Sequence, residues 1–156
     1  MSRASLVSAP GVAQDHPMPN ATDAPATRTA TCRCGQLRAT CTGDPVRVSV
    51  CHCLDCQKRS GSSFAAQARW PDAQVRIEGD TKSWTCTSES GNRATFLFCP
   101  VCGGTIAYAS EGVPGLTAIP LGTFADPDFP PPDYSVYEGR KHAWVAIVGD
   151  GIEHWR

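Results

Sequence analysis

Long apolar segments are missing from this sequence, and so is a recognisable secretion signal. No run of about 18 apolar residues occurs, so we expect no membrane-spanning helix. The first residues, MSRASLVSAPGVAQDHPMPN, contain one Arg and no apolar stretch as long as the core of a signal peptide. These absences predict a cytoplasmic protein that makes no use of a membrane.

A strong excess of charge of one sign is also absent. The formal net charge is −1, and the sequence has no long basic run. A nucleic-acid-binding protein normally carries a basic face or stripe, so we expect no nucleic-acid partner. Helical periodicity is scarce as well, whereas 13 Pro and 14 Gly indicate many turns and a mainly β fold.

The chain divides into three parts by composition. Residues 1–29 are rich in Ala, Pro, Ser, Thr and Asp without apolar periodicity, which predicts a disordered N-terminal tail. Residues 30–149 form the predicted domain, and residues 150–156 form a short C-terminal end. Short segments of the domain are bounded by Gly, Pro, Asp or Ser and predict strands in short antiparallel sheets. They are residues 36–41, 46–50, 65–70, 75–77, 81–85, 93–98, 105–109, 116–121 and 143–148.

Cysteine is abundant, with nine residues, and disulfides compete with metal thiolates as the explanation. The odd count and the tight spacing favour metal. Cys99 and Cys102 form a C-x-x-C knuckle followed by two glycines, and this spacing lets both sulfurs reach one ion. Cys32 and Cys34 complement them if the backbone turns there, which Gly35 permits. We therefore predict a closed structural site of four thiolates, a donor set typical of zinc or iron–sulfur centres.

A second cysteine cluster lies in the middle of the chain, directly after a predicted strand: Cys51, Cys53 and Cys56. Three sulfurs on one turn can occupy three corners of a tetrahedron, and the fourth corner has no obvious owner. Catalytic zinc sites keep such an open position for water or substrate, whereas structural sites are closed. We predict an open zinc site here. The alternative is a second structural site, closed by Cys41, Cys86 or a His.

His52 stands between two of these ligand candidates, and we expect its side chain to point away from their metal. Cys41 ends an alternating segment, and Cys86 lies in a polar region. A free buried cysteine behaves as a small hydrophobic residue, so we interpret both as bystanders.

An open site of three thiolates suits a particular chemistry. Such a zinc ion is a poor electrophile, because the three thiolates more than offset its charge. It can nevertheless hold a fourth thiol and deprotonate it at neutral pH, and the thiolate is the nucleophile. The cluster thus predicts the binding and ionisation of a small-molecule thiol. Lys58 and Arg59 follow Cys56 and are candidates for pairing with carboxylates of that ligand, although simple surface solvation would also explain them.

Three motifs together resemble one family over residues 30–148. They are Cys32-x-Cys34-Gly35, Cys51-His52-Cys53-x-x-Cys56-x-Lys58-x-Ser60-Gly61 and Phe98-Cys99-x-x-Cys102-Gly103. This pattern is similar to the glutathione-dependent formaldehyde-activating enzymes, a family shared with a centromere-protein-V-like group.

The resemblance implies a fold like the Mss4-like β-tent with two zinc ions. It implies that the zinc held by Cys32, Cys34, Cys99 and Cys102 is structural and that the other zinc is catalytic. It also implies a carbon–sulfur lyase that joins formaldehyde to the thiol of glutathione, giving S-hydroxymethylglutathione.

Two other functions compete with the lyase. A non-enzymatic, zinc-stabilised binding module of the same fold would require the middle cluster to be closed by a fourth protein ligand. A methionine sulfoxide reductase would need a nucleophilic cysteine apart from the metal and two C-x-x-C knuckles. Cys86 is a weak candidate for that nucleophile, and the first cysteine pair is C-x-C.

Overall fold

The computed structural model describes residues 25–156, so the predicted tail of residues 1–29 lies outside it except for the last five residues. Strands dominate the described part. They are β1 Thr27–Thr31, β2 Arg38–Thr42, β3 Arg47–Cys51, β4 Ala65–Pro71, β5 Val75–Glu78, β6 Lys82–Thr87, β7 Arg93–Phe98, β8 Thr105–Ser110, β9 Leu116–Pro120, β10 Tyr134–Val136 and β11 Glu153–His154. Among these residues the one α-helix is α1, Leu54–Ser60. No helix there is long and apolar enough to cross a membrane.

The strands form two sheets. Strands β1, β2 and β5 make a small antiparallel sheet in the order β1-β2-β5. The large sheet has the order β11-β10-β3-β4-β9-β8-β7-β6. Its ladders are antiparallel except that β10 runs parallel to both β3 and β11. The prediction of a mainly β fold with short antiparallel sheets is therefore confirmed.

The hydrophobic core lies between the small sheet and one face of the large sheet. Ala39 and Cys41 of β2 belong to the same buried cluster as Trp70 of β4 and Ile119 of β9. The indole Nε1 of Trp70 donates to the Gly43 carbonyl at 3.0 Å, so its one polar atom is satisfied. Because side chains alternate across a strand, the remaining side chains of β3, β4 and β9 point to the opposite face of the large sheet.

A β-bulge in the large sheet changes the face that β8 presents. The register between β7 and β8 shifts at Leu97 and Phe98. As a result Ile106 and Ala107, although adjacent, both belong to the core, and Tyr108 turns to the opposite face. A bulge re-aims side chains in this way because one extra residue breaks the strict alternation.

The predicted strand at residues 143–148 is wrong. These residues form no strand, and Trp144 and Val148 are 76% and 82% exposed. Alternation favours a strand where one face of it packs against the protein, and these two side chains are left in solvent. Both β10 and β11 were missed by the sequence analysis, since strands of three and two residues are too short to show periodicity.

Helix α1 was also missed, although its ends carry ordinary helix signals. Cys53 is the N-cap, and its sulfur accepts from the backbone N–H of Cys56 at 3.4 Å. Gly61 closes the helix in the left-handed conformation with φ 64°, and its N–H donates to Gln57. Such a cap favours glycine because a Cβ is strained at positive φ. Seven residues are too few for a clear apolar stripe, which is why the helix left no pattern.

Candidate metal centres and the adjoining cavity

Four cysteine sulfurs meet where β1 and β7 end, and all lie within 4.8 Å of one another: Cys32, Cys34, Cys99 and Cys102. The Cys34 sulfur lies 3.5 Å from that of Cys32 and 3.6 Å from that of Cys99. Four thiolates about 2.3 Å from a tetrahedral ion would stand about 3.8 Å apart, so these separations fit one metal ion. We call this set the four-thiol centre.

Two glycine turns bring these sulfurs together. Gly35 has φ 81°, and its N–H donates to the Cys32 carbonyl at 2.9 Å, so the chain reverses as the sequence analysis expected. Gly103 has φ 72° and closes the C-x-x-C knuckle with a bond from its N–H to the Cys99 carbonyl. The Cys99 sulfur also accepts from the Gln36 side-chain amide at 3.0 Å. Donors around a sulfur stabilise its thiolate form, the form that binds metal.

Three further sulfurs, those of Cys51, Cys53 and Cys56, lie within 4.8 Å of one another at the junction of β3 and α1. Cys51 is the last residue of β3, Cys53 caps the helix and Cys56 lies in its first turn. Hydrogen bonds from the Cys51 and Cys56 thiols lower the pKa of Cys53, and helix amides act in the same direction. The spacing of these three sulfurs, called here the three-thiol centre, fits a metal ion.

No fourth protein ligand joins the three-thiol centre within residues 25–156. No other Cys, His, Asp or Glu of that range has a ligand atom within 4.8 Å of all three sulfurs. Cys41 is fully buried in the core, where burial raises its pKa to about 11. Cys86 lines the neighbouring cavity without joining the sulfur cluster.

His52 points away from the three sulfurs into the protein, in the direction the sequence analysis expected. It is fully buried, its Nε2 lies 3.3 Å from the Ser135 hydroxyl, and its ring packs beside Phe64. Its backbone N–H donates to Val136 on β10, and its carbonyl accepts from the Gln57 side chain. His52 thus fixes the backbone between two of the thiols to the parallel β3–β10 ladder.

Ser135 is held in turn by a partly buried carboxylate, that of Glu138. Its hydroxyl donates to Glu138 at 2.6 Å, and that carboxylate also contacts Lys141 at 3.1 Å and His154 at 2.7 Å. Although burial raises it, these partners bring the pKa of Glu138 down to about 2. The carboxylate is therefore ionised at neutral pH and ties β11 to the strand behind the three-thiol centre.

A cavity of about 610 Å³ adjoins the three-thiol centre, and all three of its cysteines line the cavity. The floor is the face of the large sheet that points away from the core. One row of paired residues crosses six strands of this face in register: Arg47, Arg69, Ala118, Tyr108, Phe96 and Trp84. Ala118, in the middle of the row, separates two arginines from three aromatic rings and is itself buried, and the Arg69 guanidinium lies 5.9 Å from the Tyr108 ring centroid.

The arginine end of the cavity is positively charged. Lys58 and Arg59, the two candidates from the sequence, both line it from α1, and Arg47 and Arg69 line it from the sheet. The buried Nε of Arg47 and Nη2 of Arg59 have no hydrogen-bond partner among residues 25–156. Guanidinium N–H groups strongly favour carboxylate acceptors, so this end fits an anion. We refer to Arg47, Arg59 and Arg69 as the cationic wall.

The acidic residues at the cavity, Asp55 and Glu89, do not neutralise the cationic wall, because their carboxylates contact other groups. Glu89, at the tip of the β6–β7 hairpin, forms an ion pair with Arg140. The backbone N–H of Glu89 donates to the Asp55 carboxylate at 3.0 Å. These contacts connect the hairpin, α1 and the segment after β10 around the cavity.

The sequence analysis missed four polar residues of the sheet floor: Arg47, Ser49, Gln67 and Arg69. Gln67 donates to the Ser49 hydroxyl at 2.9 Å, and both side chains are buried. A signal was available, since Arg47 and Ser49 alternate with Val48 and share a face with Cys51. Polar residues at every second position of a strand that ends in a metal ligand mark the face that the ligand uses.

Taken together, the two sheets, the four-thiol centre and the second centre at a cavity define a cysteine-rich β protein with two clusters that could hold metal ions. The sequence profile of the glutathione-dependent formaldehyde-activating enzymes matches residues 27–140. The chain therefore belongs to the glutathione-dependent formaldehyde-activating enzyme family.

Other comparisons add little. A crystal structure of a protein from Rhodobacter sphaeroides is similar with a TM-score of 0.49 and 17% sequence identity, over 61% of this chain and 85% of that chain. No curated protein is significantly similar in sequence.

Proposed function

We propose that this protein is a zinc-dependent carbon–sulfur lyase that forms and cleaves the adduct of glutathione with an aldehyde such as formaldehyde. The observation that supports this most is the position of the three-thiol centre in the lining of a cavity with a cationic wall. A thiol that carries carboxylates matches both features at once. The family to which the chain belongs points to the same substrates.

Zinc is the metal we propose for both centres. The four-thiol centre would hold a structural ion, because four thiolates saturate a tetrahedron. Cys51, Cys53 and Cys56 would hold the catalytic ion. When bound there, zinc favours the thiolate form of a small-molecule thiol at neutral pH.

The residues of the chain would orient the reactants. Glutathione has two carboxylates, which we assign to the cationic wall, with Lys58 at its edge. This places the thiol of the central cysteine of the tripeptide toward the three-thiol centre. Tyr108 lines the same cavity, and burial raises its pKa to about 12, so its hydroxyl stays protonated at neutral pH. It can then donate a hydrogen bond to the oxygen that the aldehyde carbonyl becomes.

The alternative of a non-enzymatic binding module depended on a fourth protein ligand at the three-thiol centre. Within residues 25–156 no Cys, His, Asp or Glu occupies that position. The lyase remains the function that the arrangement of residues favours.

The Cys53→Ser variant tests the proposal. We expect it to keep its fold and the ion of the four-thiol centre, and to lose the second ion together with catalysis. Metal analysis gives the number of zinc ions per chain. Exchange NMR gives the rate of interconversion between formaldehyde and its glutathione adduct above the spontaneous rate.

The matched control is Cys86→Ser, which changes a cavity cysteine outside the three-thiol centre and should keep two ions per chain. Catalysis by Cys53→Ser at the wild-type rate would overturn the proposed function. Loss of both ions with unfolding would contradict the independence of the two centres.

A further inference from the structure

The aromatic end of the cavity row is larger than a formaldehyde adduct requires. Trp84, Phe96 and Tyr108 stand side by side on β6, β7 and β8 in register. The centroids of Trp84 and Phe96 lie 5.8 Å apart with planes 28° apart, and those of Phe96 and Tyr108 lie 5.0 Å apart with planes 30° apart. The three rings, called here the aromatic row, form a continuous apolar surface.

This row does not belong to the hydrophobic core. Core residues cluster on the opposite face of the large sheet, and none of the three rings is among them. Trp84 is 57% exposed on the edge strand β6. Ligand cavities are lined mainly by apolar and aromatic side chains, so an exposed indole at the edge of this cavity is available for contact with a ligand.

The cavity therefore has two chemically different ends. Arg59 marks the boundary, since its guanidinium lies 5.0 Å from the Tyr108 ring centroid and 5.5 Å from that of Phe96. Beyond it lies the cationic wall, which suits the carboxylates of a thiol ligand. A formaldehyde adduct adds only one carbon and one oxygen to that thiol. Because Arg59 covers the inner part of the aromatic row, the part left without an occupant is its outer end at Trp84, which is 57% exposed.

We propose that the aromatic row binds an apolar, planar group on the aldehyde carbon, so that the substrates include glutathione adducts of aromatic aldehydes. This inference rests on the proposed lyase function and extends it to a substrate class. The reaction is the same. The thiol sulfur adds to the carbonyl carbon, the carbon–oxygen π pair moves to oxygen, and the thiol proton ends on that oxygen; cleavage reverses these changes.

The geometry of the sheet supports this orientation. Arg47 and Cys51 lie on the same face of β3, so the cationic wall and the three-thiol centre border one end of the cavity. The aromatic row lies across β9 from Arg69. An adduct whose sulfur lies at the three-thiol centre can thus direct its two substituents to opposite ends of the floor.

Binding of stable thioether analogues tests the aromatic row without any chemistry. S-methylglutathione and S-benzylglutathione differ only in the group that would contact the row, and calorimetry on the zinc-loaded protein gives both dissociation constants. We expect S-benzylglutathione to bind at least 10-fold more tightly, since aromatic side chains interact favourably with a planar apolar ligand. Trp84→Ala and Phe96→Leu should each bring the ratio toward one.

Thr85→Ala is the matched control. Thr85 neighbours Trp84 but pairs with Thr95 on the other face of the hairpin, and its hydroxyl lies 2.9 Å from that of Thr95. This variant should keep the wild-type ratio. Thermal melting and zinc content establish that each variant is folded; Trp84→Ala is the safer test because most of that side chain is exposed.

The results separate the two proposals. Equal dissociation constants in the wild type, or a ratio that survives both Trp84→Ala and Phe96→Leu, would overturn the aromatic subsite, while activity with formaldehyde would still support the lyase. A preference for S-benzylglutathione that depends on Trp84, without catalysis on any aldehyde, would support the subsite and overturn the lyase function alone.

Discussion

Arg47 of β3 and Arg69 of β4 lie directly opposite each other in the antiparallel ladder. Like charges at one cross-strand position destabilise a sheet. Both side chains nevertheless line the same cavity, where Arg69 donates to the Ser49 hydroxyl at 3.2 Å and Arg47 stacks over the ring of Tyr134. This pairing is understandable if an anion lies between the two arginines when the protein acts.

Replacing Arg69 with Met should weaken glutathione binding much more than it changes folding. A hydrogen bond between charged groups contributes about 1.5–3 kcal/mol, so the dissociation constant should rise roughly 10-fold to 100-fold. The melting temperature should change little, because the loss of the Ser49 contact is offset by relief of charge repulsion. Calorimetry with glutathione and thermal melting of the zinc-loaded protein measure the two effects.

Arg76→Met serves as the control for Arg69→Met. Arg76 is 77% exposed on β5, in the small sheet, and does not line the cavity. Glutathione should bind this control as it binds the wild type. An unchanged dissociation constant for Arg69→Met would rule out its role in the cationic wall.

The two buried cysteines Cys99 and Cys41 should respond very differently to replacement by Ala. Cys99→Ala removes a ligand of the four-thiol centre, so we expect loss of one zinc ion and a large drop in melting temperature, because metal binding contributes directly to folding. Cys41→Ala removes only a buried sulfur from the core and should cost about 1 kcal/mol with both ions retained. Zinc content and chemical unfolding of each variant provide the comparison. Equal destabilisation with two ions in both variants would contradict the assignment of Cys99.

Tyr108 should make folding sensitive to alkali. Burial raises its pKa to about 12, above the ordinary value of 10.0. A folded-state pKa above the unfolded one gives a stabilisation that is complete below the unfolded value and is lost as pH rises toward the folded value. We therefore expect stability to fall between about pH 10 and 12 in the wild type and to fall less in Tyr108→Phe. Thermal unfolding across that range tests the difference.

Absorbance of tyrosinate gives an independent check on the same residue. The chain has three tyrosines, and the one that ionises last should disappear from the titration in Tyr108→Phe. A wild-type titration in which all three ionise near the ordinary pKa would contradict the burial of this phenol. The substitution keeps the ring, so the aromatic row stays intact.

Much of the architecture was predictable from local patterns. Period-two alternation located β3, β4 and β7 because one face of each packs in the hydrophobic core and the other lines the cavity, and Gly and Pro marked their ends. The same rule failed at residues 143–148, where alternation occurs without burial. It also failed for β10 and α1, which are too short to show a period.

Cysteine spacing predicted from the sequence alone which thiols form the two clusters. One or two residues between two cysteines keep their sulfurs close enough to bind one ion. Gly35 and Gly103 permit the backbone turns that bring these sulfurs together. Cys32 and Cys34 were predicted to join Cys99 and Cys102 because a tetrahedral zinc ion takes four ligands and each motif supplies two. The spacing within each motif involves residues that are close in the sequence, so the sequence alone is enough to recognise it.

Only the tertiary structure decided what surrounds the three-thiol centre. Arg47 and Trp84 stand at opposite ends of one row because six strands pair in a particular order and register, which no local pattern specifies. A single bulge beside Leu97 turned Tyr108 out of the core and into the cavity. The spacing within each cysteine motif is a property of neighbours along the chain, whereas a binding surface depends on long-range strand pairing, and that pairing is fixed by the packing of the whole sheet.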